Sequence, residues 1–356
     1  MSGARRAASP VRVGLAGAGW VSRHHLEAWR RLSERAVVTA IADPDLDAAR
    51  ARAAEFGVPA TYGSVDAMLA GETLDAIDVA TPRETHAPIC RLAADHGLAI
   101  LCQKPLAPTL DQAEHLVRDL AGRVRLMVHE NWRFRPHYRR IRQWRDDGRI
   151  GAVRTVVMTL LTSGLLPDAA GQRPAIVRQP MFATLDRLLL MEVLIHHVDT
   201  LRFLLGPLDL KGARLGKSCP VTRGEDRASL FLSTSDGGAV SLVGDFMAHD
   251  SPPEQLDRFD LYGTDGAVRL AGSRLQLQRA GKEPGAVDVL EEIEVDLVAN
   301  YKASYVGTFT HFLDRLADGG PFETGPDDNL ETLRIVEAAY RIGGGIKVNE
   351  LDRPVR

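Results

Sequence analysis

At 356 residues the chain is long for a single core and suits two domains. Its 45% hydrophobic and 26% charged residues are ordinary globular values, which exclude disordered and fibrous classes. With 44 Lys and Arg against 47 Asp and Glu, the net charge of -3 offers no electrostatic footprint for nucleic acid.

The chain opens with MSGARRAASP, two arginines and no apolar run, so residues 1–10 read as a disordered tail and not a signal peptide. From Val11 to Glu130, short apolar strands alternate with helices. VRVGLAG, AVVTAIAD, LDAIDVATP, LAILCQ and VRLMVH read as strands. WVSRHHLEAWRRLSE, LDAARARAAEFG, ETHAPICRLAADHG and TLDQAEHLVRDLAG read as helices between them. Continuous apolar strands separated by helices predict a doubly wound parallel sheet covered on both faces over 11–130.

From Asn131 the pattern changes, and 131–356 is expected to form an α+β domain. RPHYRRIRQWRDDGRIG is a basic amphipathic helix, AVRTVVMTLLTSG a strand, and Leu165–Pro180 a long loop. One helix is predicted from Leu185 to Leu205, stopped by Gly206-Pro207. Period-2 runs then predict antiparallel strands, with hairpins at Asp236-Gly237 and Asp265-Gly266. Helices at YVGTFTHFLDRLADG and NLETLRIVEAAYRIGGG close the chain. The strands ASLFLST and AVSLVGDFM carry apolar residues on both alternating sets, Leu230 and Phe231 for example, which predicts a homo-oligomer, dimer or tetramer.

Cys90, Cys102 and Cys219 are odd in number and unpatterned. They give neither a disulfide framework nor a zinc site, and they fit a reducing cytoplasm. Even the apolar run LLLMEVLIHHVDTLRFLLG carries Glu192, His196, His197, Asp199 and Arg202, so no membrane span is expected.

Three places carry chemistry. Gly17-Ala18-Gly19-Trp20-Val21-Ser22 is G-x-G-x-x-S between a strand and a helix. The first glycine makes the tight turn, the second admits a pyrophosphate, and the third position needs only a small residue. The helix behind supplies N–H groups for phosphate. Asp43 ends the next strand, 24 residues after Gly19, where a carboxylate binds ribose hydroxyls and repels a 2′-phosphate. Two glycines also make an ordinary strand–turn–helix with Asp43 as a cap. The position of Asp43 favours a dinucleotide, NAD over NADP.

On the apolar helix, Glu192, His196 and Asp199 are spaced four and three apart, which puts them on one α-helical face. Burying them requires pairing or a cleft. They form a satisfied buried pair, a proton-transfer site or, with further ligands that the sequence does not supply, a metal site; no metal is expected. Lys104, in LCQKPLAPT, has no acidic neighbour closer than Asp111 and stands at the mouth of a buried strand. It is either a solvated loop lysine or a site residue.

Taken together, GLAGAGW, ADPD, VATPRETHA, CQKPLA, NWRFRP, E-x-x-x-H-x-x-D and FDLYGTDGAVRL resemble the Gfo/Idh/MocA family from about Val11 to Gly345. The resemblance implies a Rossmann domain followed by a domain with a broad, mostly antiparallel sheet. It implies NAD-dependent oxidation of a hydroxyl on a sugar, polyol or related carbohydrate. By that resemblance Lys104 and His196 handle the hydroxyl proton, and Glu192 stands where the family has aspartate. Gly17, Ala18, Gly19, Trp20, Val21, Asp43, Thr81, Pro82, His86, Gln103 and Lys104 meet the cofactor. Asn131, Arg133 and Arg178 line the substrate pocket or serve as surface or inter-domain salt bridges. Gln103 replaces the family glutamate, and with Glu192 it points to a subgroup with its own substrate, a branched or short sugar of the apiose type. A transient-redox epimerase or glycoside-cleaving enzyme and a non-catalytic dinucleotide-binding regulator are the competing functions.

Overall fold

A computed structural model describes residues 9–254, 256–283 and 285–344. Most of the expected N-terminal tail (1–8) and the end of the expected last helix (Gly345) lie outside the described residues.

In chain order come β1 (Val11–Ala16), α1 (Trp20–Arg31), β2 (Ala36–Ala42), α2 (Leu46–Phe56), β3 (Ala60–Tyr62) and α3 (Val65–Gly71). Then follow β4 (Ala76–Val79), α4 (His86–Asp95), β5 (Ala99–Gln103), α5 (Leu110–Leu120) and β6 (Leu126–His129). Next are α6 (Pro136–Asp146), β7 (Val153–Leu161), α7 (Pro174–Arg178), a π-helical segment (Leu189–Leu194) and α8 (Ile195–Leu205). Strands β8 (Leu208–Gly216), β9 (Arg227–Thr234), β10 (Ala239–Asp245) and β11 (Asp257–Gly263) precede β12 (Ala267–Ala271), β13 (Arg274–Ala280) and β14 (Val287–Glu294). Helices α9 (Leu297–Asp318) and α10 (Pro326–Gly343) end the series.

The chain divides into two compact units. The first runs to Phe134 and takes in Tyr301–Glu331; the second holds Arg135–Asn300 and the residues from Thr332 on.

The first unit contains a six-stranded sheet of order β3-β2-β1-β4-β5-β6. Its neighbouring strands are parallel. β4, AIDV, is buried along its whole length, as befits a strand covered on both faces. Local chemistry sets the helix ends: the Asp45 carboxylate accepts from Asp47 and Ala48 N–H, and α2 stops at Gly57 with φ 73. The sequence assigns 301–331 to the second domain, yet these residues cluster with the first. The reason is apolar. Tyr305, Phe309, Phe312 and Leu313 of α9 are buried in one core with Leu26 and Trp29 of α1, and the Phe309 and Trp29 rings lie 4.2 Å apart, centroid to centroid, tilted by 35°.

The second unit contains an eight-stranded sheet of order β14-β13-β12-β11-β7-β10-β9-β8. Neighbours are antiparallel except β7 and β10, which run parallel. Burial alternates along β9 and β10, so one face is packed and the other is turned out.

The single helix predicted over 185–205 is interrupted. Its first part is a π-helical segment, and α8 begins only at Ile195. Glu225 fixes where the π-helical segment begins, later than Leu185. Its carboxylate accepts from Leu188 N–H (3.3 Å) and Leu190 N–H (2.9 Å), and its carbonyl accepts from Leu189 N–H (3.0 Å). Burial holds the Glu225 carboxyl above the usual carboxylate range even though it accepts from the Tyr340 hydroxyl at 2.6 Å. The expected loop Leu165–Pro180 also contains a short helix, α7, started by Pro174 at its N-terminus. Among the described residues no helix is long and apolar enough to cross a membrane.

Candidate active site

The glycine loop joins β1 to α1. Gly17 has φ +101, and a Cβ there would lie 2.5 Å from the Ala80 carbonyl oxygen, so only glycine fits. Gly19 differs. A Cβ built on it meets nothing within 4 Å, which leaves the space above the loop open to a ligand. Gly19 caps α1 without a side-chain hydrogen bond, so the first-turn N–H groups of this helix are offered to an anion. Ser22, at the third motif position, is buried and donates its hydroxyl to the Gly19 carbonyl at 2.6 Å. Ala18 is buried, whereas Trp20 is 47% exposed at the start of α1.

Asp43 stands directly after β2. One carboxylate oxygen accepts from Ala18 N–H (2.7 Å) and the other from Asp45 N–H (2.8 Å). Each oxygen keeps a further lone pair for a ribose hydroxyl. A tight turn, an open second glycine, a helix start with no side-chain cap and a carboxylate at the end of β2 fit a dinucleotide.

Behind the loop lies a buried polar frame that patterns in the sequence do not show. Asp78 sits inside the apolar strand β4. It accepts from His25 Nδ1 at 2.8 Å and from Trp29 Nε1 at 2.8 Å. His25 Nε2 is 2.8 Å from Gln103 Nε2, which is also 3.0 Å from His129 Nδ1. Gln103 Oε1 accepts from the Lys104 N–H at 3.1 Å. Gln103, placed by the resemblance at the cofactor, thus turns its amide into the protein. The signals that sequence reading missed are a carboxylate in the middle of a four-residue apolar strand and an imidazole on the buried side of α1. Neither reveals its partner.

His86 is likewise buried. Its Nδ1 lies 2.9 Å from the Pro105 carbonyl and its Nε2 2.9 Å from the Thr81 carbonyl, so the ring links the turns after β4 and β5. Burial draws its pKa below the usual histidine value, against the pull of those two carbonyls. Thr81 accepts from the Thr85 hydroxyl at 2.8 Å, and Pro82 is exposed. Lys104 is half-buried after β5, at the carboxyl ends of the parallel strands, and its peptide bond to Pro105 is cis.

Asn131 and Arg133 are buried and engaged with the returning segment. Asn131 donates to Ser304 Oγ at 2.7 Å. Arg133 donates to Asp328 at 2.7 Å and to the Glu323 carbonyl at 3.0 Å. Both side chains hold the first unit together.

In the second unit, Glu192 is half-buried within the π-helical segment, and His196 is buried in the first turn of α8. The expectation of one shared α-helical face meets a change of winding between Glu192, in the π-helical segment, and His196, in α8. It holds between His196 and Asp199, both in α8. Asp199 accepts from Thr332 Oγ1 at 3.3 Å, and the His196 carbonyl from Thr200 Oγ1 at 2.8 Å. The neighbouring His197 faces elsewhere, with Nε2 2.9 Å from Asp257. Arg178, at the end of α7, is exposed.

Comparison with known proteins bears on this arrangement. Residues 11–130 match the family described as "Oxidoreductase family, NAD-binding Rossmann fold", and residues 138–269 match the GFO/IDH/MocA C-terminal domain. A D-apiose dehydrogenase of Paraburkholderia graminis is 33% identical over 95% of this chain and 90% of its own length. An inositol 2-dehydrogenase of Rhizobium meliloti is 26% identical over 93% of this chain and 96% of its own. A crystal structure of an oxidoreductase from Agrobacterium radiobacter, in complex with NAD+, L-tartaric acid and magnesium, is 26% identical. It superposes with a TM-score of 0.83 over 96% of this chain and 99% of that one. With its glycine loop, its doubly wound first sheet and these full-length relatives, the chain belongs to the Gfo/Idh/MocA family, as an oxidoreductase with an NAD-binding Rossmann domain.

Proposed function

We propose that the chain is an NAD-dependent dehydrogenase that oxidises a hydroxyl of a sugar or polyol, with a branched or short sugar of the apiose type as its substrate. The observation that carries this reading is the 33% identity, over nearly the whole chain, to a D-apiose dehydrogenase. NAD, when bound, supplies the hydride acceptor. Lys104 hydrogen-bonds the substrate hydroxyl and favours the developing alkoxide. His196 takes the hydroxyl proton as general base, and Glu192 orients its imidazole. Asp43 selects NAD over NADP by placing negative charge where a 2′-phosphate would lie. The active form is a homo-oligomer.

The test is NAD reduction across aldoses, polyols and lactones, D-apiose among them, with wild type, Lys104→Ala and His196→Ala. His196→Ala should lower kcat ~10²–10⁴-fold with NAD affinity nearly unchanged, and Lys104→Ala at least as much. If His196 is only a core residue, its variant melts lower yet keeps its activity. Wild type that binds NAD but forms no net NADH on any compound, or full activity in the folded double variant, would overturn the reading. Asp43→Ala should weaken NAD binding and narrow the discrimination against NADP. A wild type with higher kcat/KM for NADP would rule out this role.

A further inference from the structure

A single backbone donor decides where protons sit behind Lys104. The Lys104 N–H points at Gln103 Oε1, 3.1 Å away. The other end of that amide, its NH2, therefore faces His25 Nε2 at 2.8 Å and His129 Nδ1 at 3.0 Å. The reversed amide would set NH2 against the Lys104 N–H, donor against donor. An amide NH2 only donates, so each ring nitrogen that faces it must offer a lone pair. His25 then carries its one proton on Nδ1, where it donates to Asp78 at 2.8 Å. His129 carries its proton on Nε2. Both rings are neutral, and the Asp78 carboxylate is further held by Trp29 Nε1–H at 2.8 Å.

We propose that Gln103 is a positioning residue for Lys104: it ties the Lys104 main chain to the buried His25–Asp78–Trp29 frame and fixes the tautomers of His25 and His129. The proposal rests on the reading of Lys104 as a site residue. The groups facing His25 are few. Trp29 comes from its own helix, Asp78 from β4, Gln103 from β5 and His129 from β6. From α9 come Tyr305 and Phe309, with ring centroids at 5.6 and 5.3 Å. A carboxylate at position 103 accepts only. Glutamate there requires a proton on His25 Nε2, which turns the ring between Glu and Asp78 into an imidazolium, and it moves the His129 proton to Nδ1.

The test uses the full-length protein labelled with ¹⁵N-histidine and read by long-range ¹H–¹⁵N correlation at pH 7. Wild type should show His25 as the neutral Nδ1–H tautomer and His129 as Nε2–H. Gln103→Glu should convert His25 to the imidazolium pattern and add an ionisation to the kcat–pH profile that wild type lacks. Gln103→Met, which removes the anchor, should lower kcat roughly tenfold, the loss of one hydrogen bond, with KM for NAD unchanged. Imidazolium or Nε2–H signals from His25 in the wild type would overturn the proposal, whatever the variants do. An unaltered kcat and pH profile in folded Gln103→Met and Gln103→Glu would overturn it too. Failure of the Lys104 reading is distinct: Lys104→Ala would then stay active while the wild-type spectra keep the expected tautomers.

Discussion

Three histidines, His86 and His137 buried and His24 half-buried, lie where a positive charge is hard to hold. His137 is the most affected, drawn down to about 4 by burial and then by the charge of Arg135. Burial also lowers His86 and His24. Each folded-state pKa lies below its unfolded value, so the unfolded chain binds more protons as the solution is acidified. For His137 this contribution to stability is present in full above the unfolded value of 6.5 and is lost as pH falls from there towards 4, and His86 and His24 act in the same direction. For His137 alone the loss is of the order of 3 kcal/mol at most. Urea midpoints at pH 7.5, 6 and 4.5 should fall in that order, and His137→Gln should flatten the fall. A wild-type midpoint that stays constant over this range would contradict the assignment. At this scale the sequence shows residues whose chemistry is local. Gly17 and Asp43 announce themselves by spacing along one strand–turn–helix. Asp78 and His25 do not, because they meet across 53 positions and neither reveals its partner.

Elements were legible where periodicity alone decides them. The alternation of apolar strands and helices over 11–130 describes the doubly wound sheet that forms, and the hairpins at Asp236-Gly237 and Asp265-Gly266 join antiparallel strands. The segment before α8 was not legible, since the donor groups of Leu188 and Leu190 are taken by Glu225, a residue from elsewhere in the chain. Short edge elements such as β3 and β14 also escaped, having too few residues or too little apolar contrast to show a period. The β1–α1 turn offers a test that separates folding from binding. Gly17→Ala forces a side chain at φ +101 against the Ala80 carbonyl and should cost about 1–3 kcal/mol of stability. Gly19→Val meets open space, so its melting temperature should stay near wild type while NAD affinity falls at least tenfold, on the order of one lost phosphate contact. Tight NAD binding by the folded Gly19→Val protein would show that the dinucleotide does not cross this loop.

For the molecule as a whole, the second sheet raises the question of what its outer face meets. On β9, Leu230 is 2% exposed and packs inward, while Phe231 is 52% exposed. Phe231 pairs with Ser241, which pairs with Val157, so one outward row crosses β9, β10 and β7. Leu161, on β7, and Tyr262, on the adjacent β11, are 38% and 42% exposed. Burying such a face is the purpose of the proposed homo-oligomer. Light scattering should return a mass of at least two chains at micromolar concentration, and Phe231→Asp should lower it. A wild-type protein that stays monomeric under those conditions removes the argument.

The nucleotide-binding unit opens with β1 but is closed by Tyr301–Glu331. During synthesis, therefore, the strands β1 to β6 are made well before the segment that completes their unit. A nascent chain that has reached Phe134 presents Leu26 and Trp29 without Tyr305, Phe309 and Phe312, which cover them in the finished protein. That apolar surface stays open until α9 has been made. A gene cut after the first sheet would encode such an intermediate permanently, and a nucleotide-binding fragment made from this chain needs the distant α9 sequence spliced back onto it.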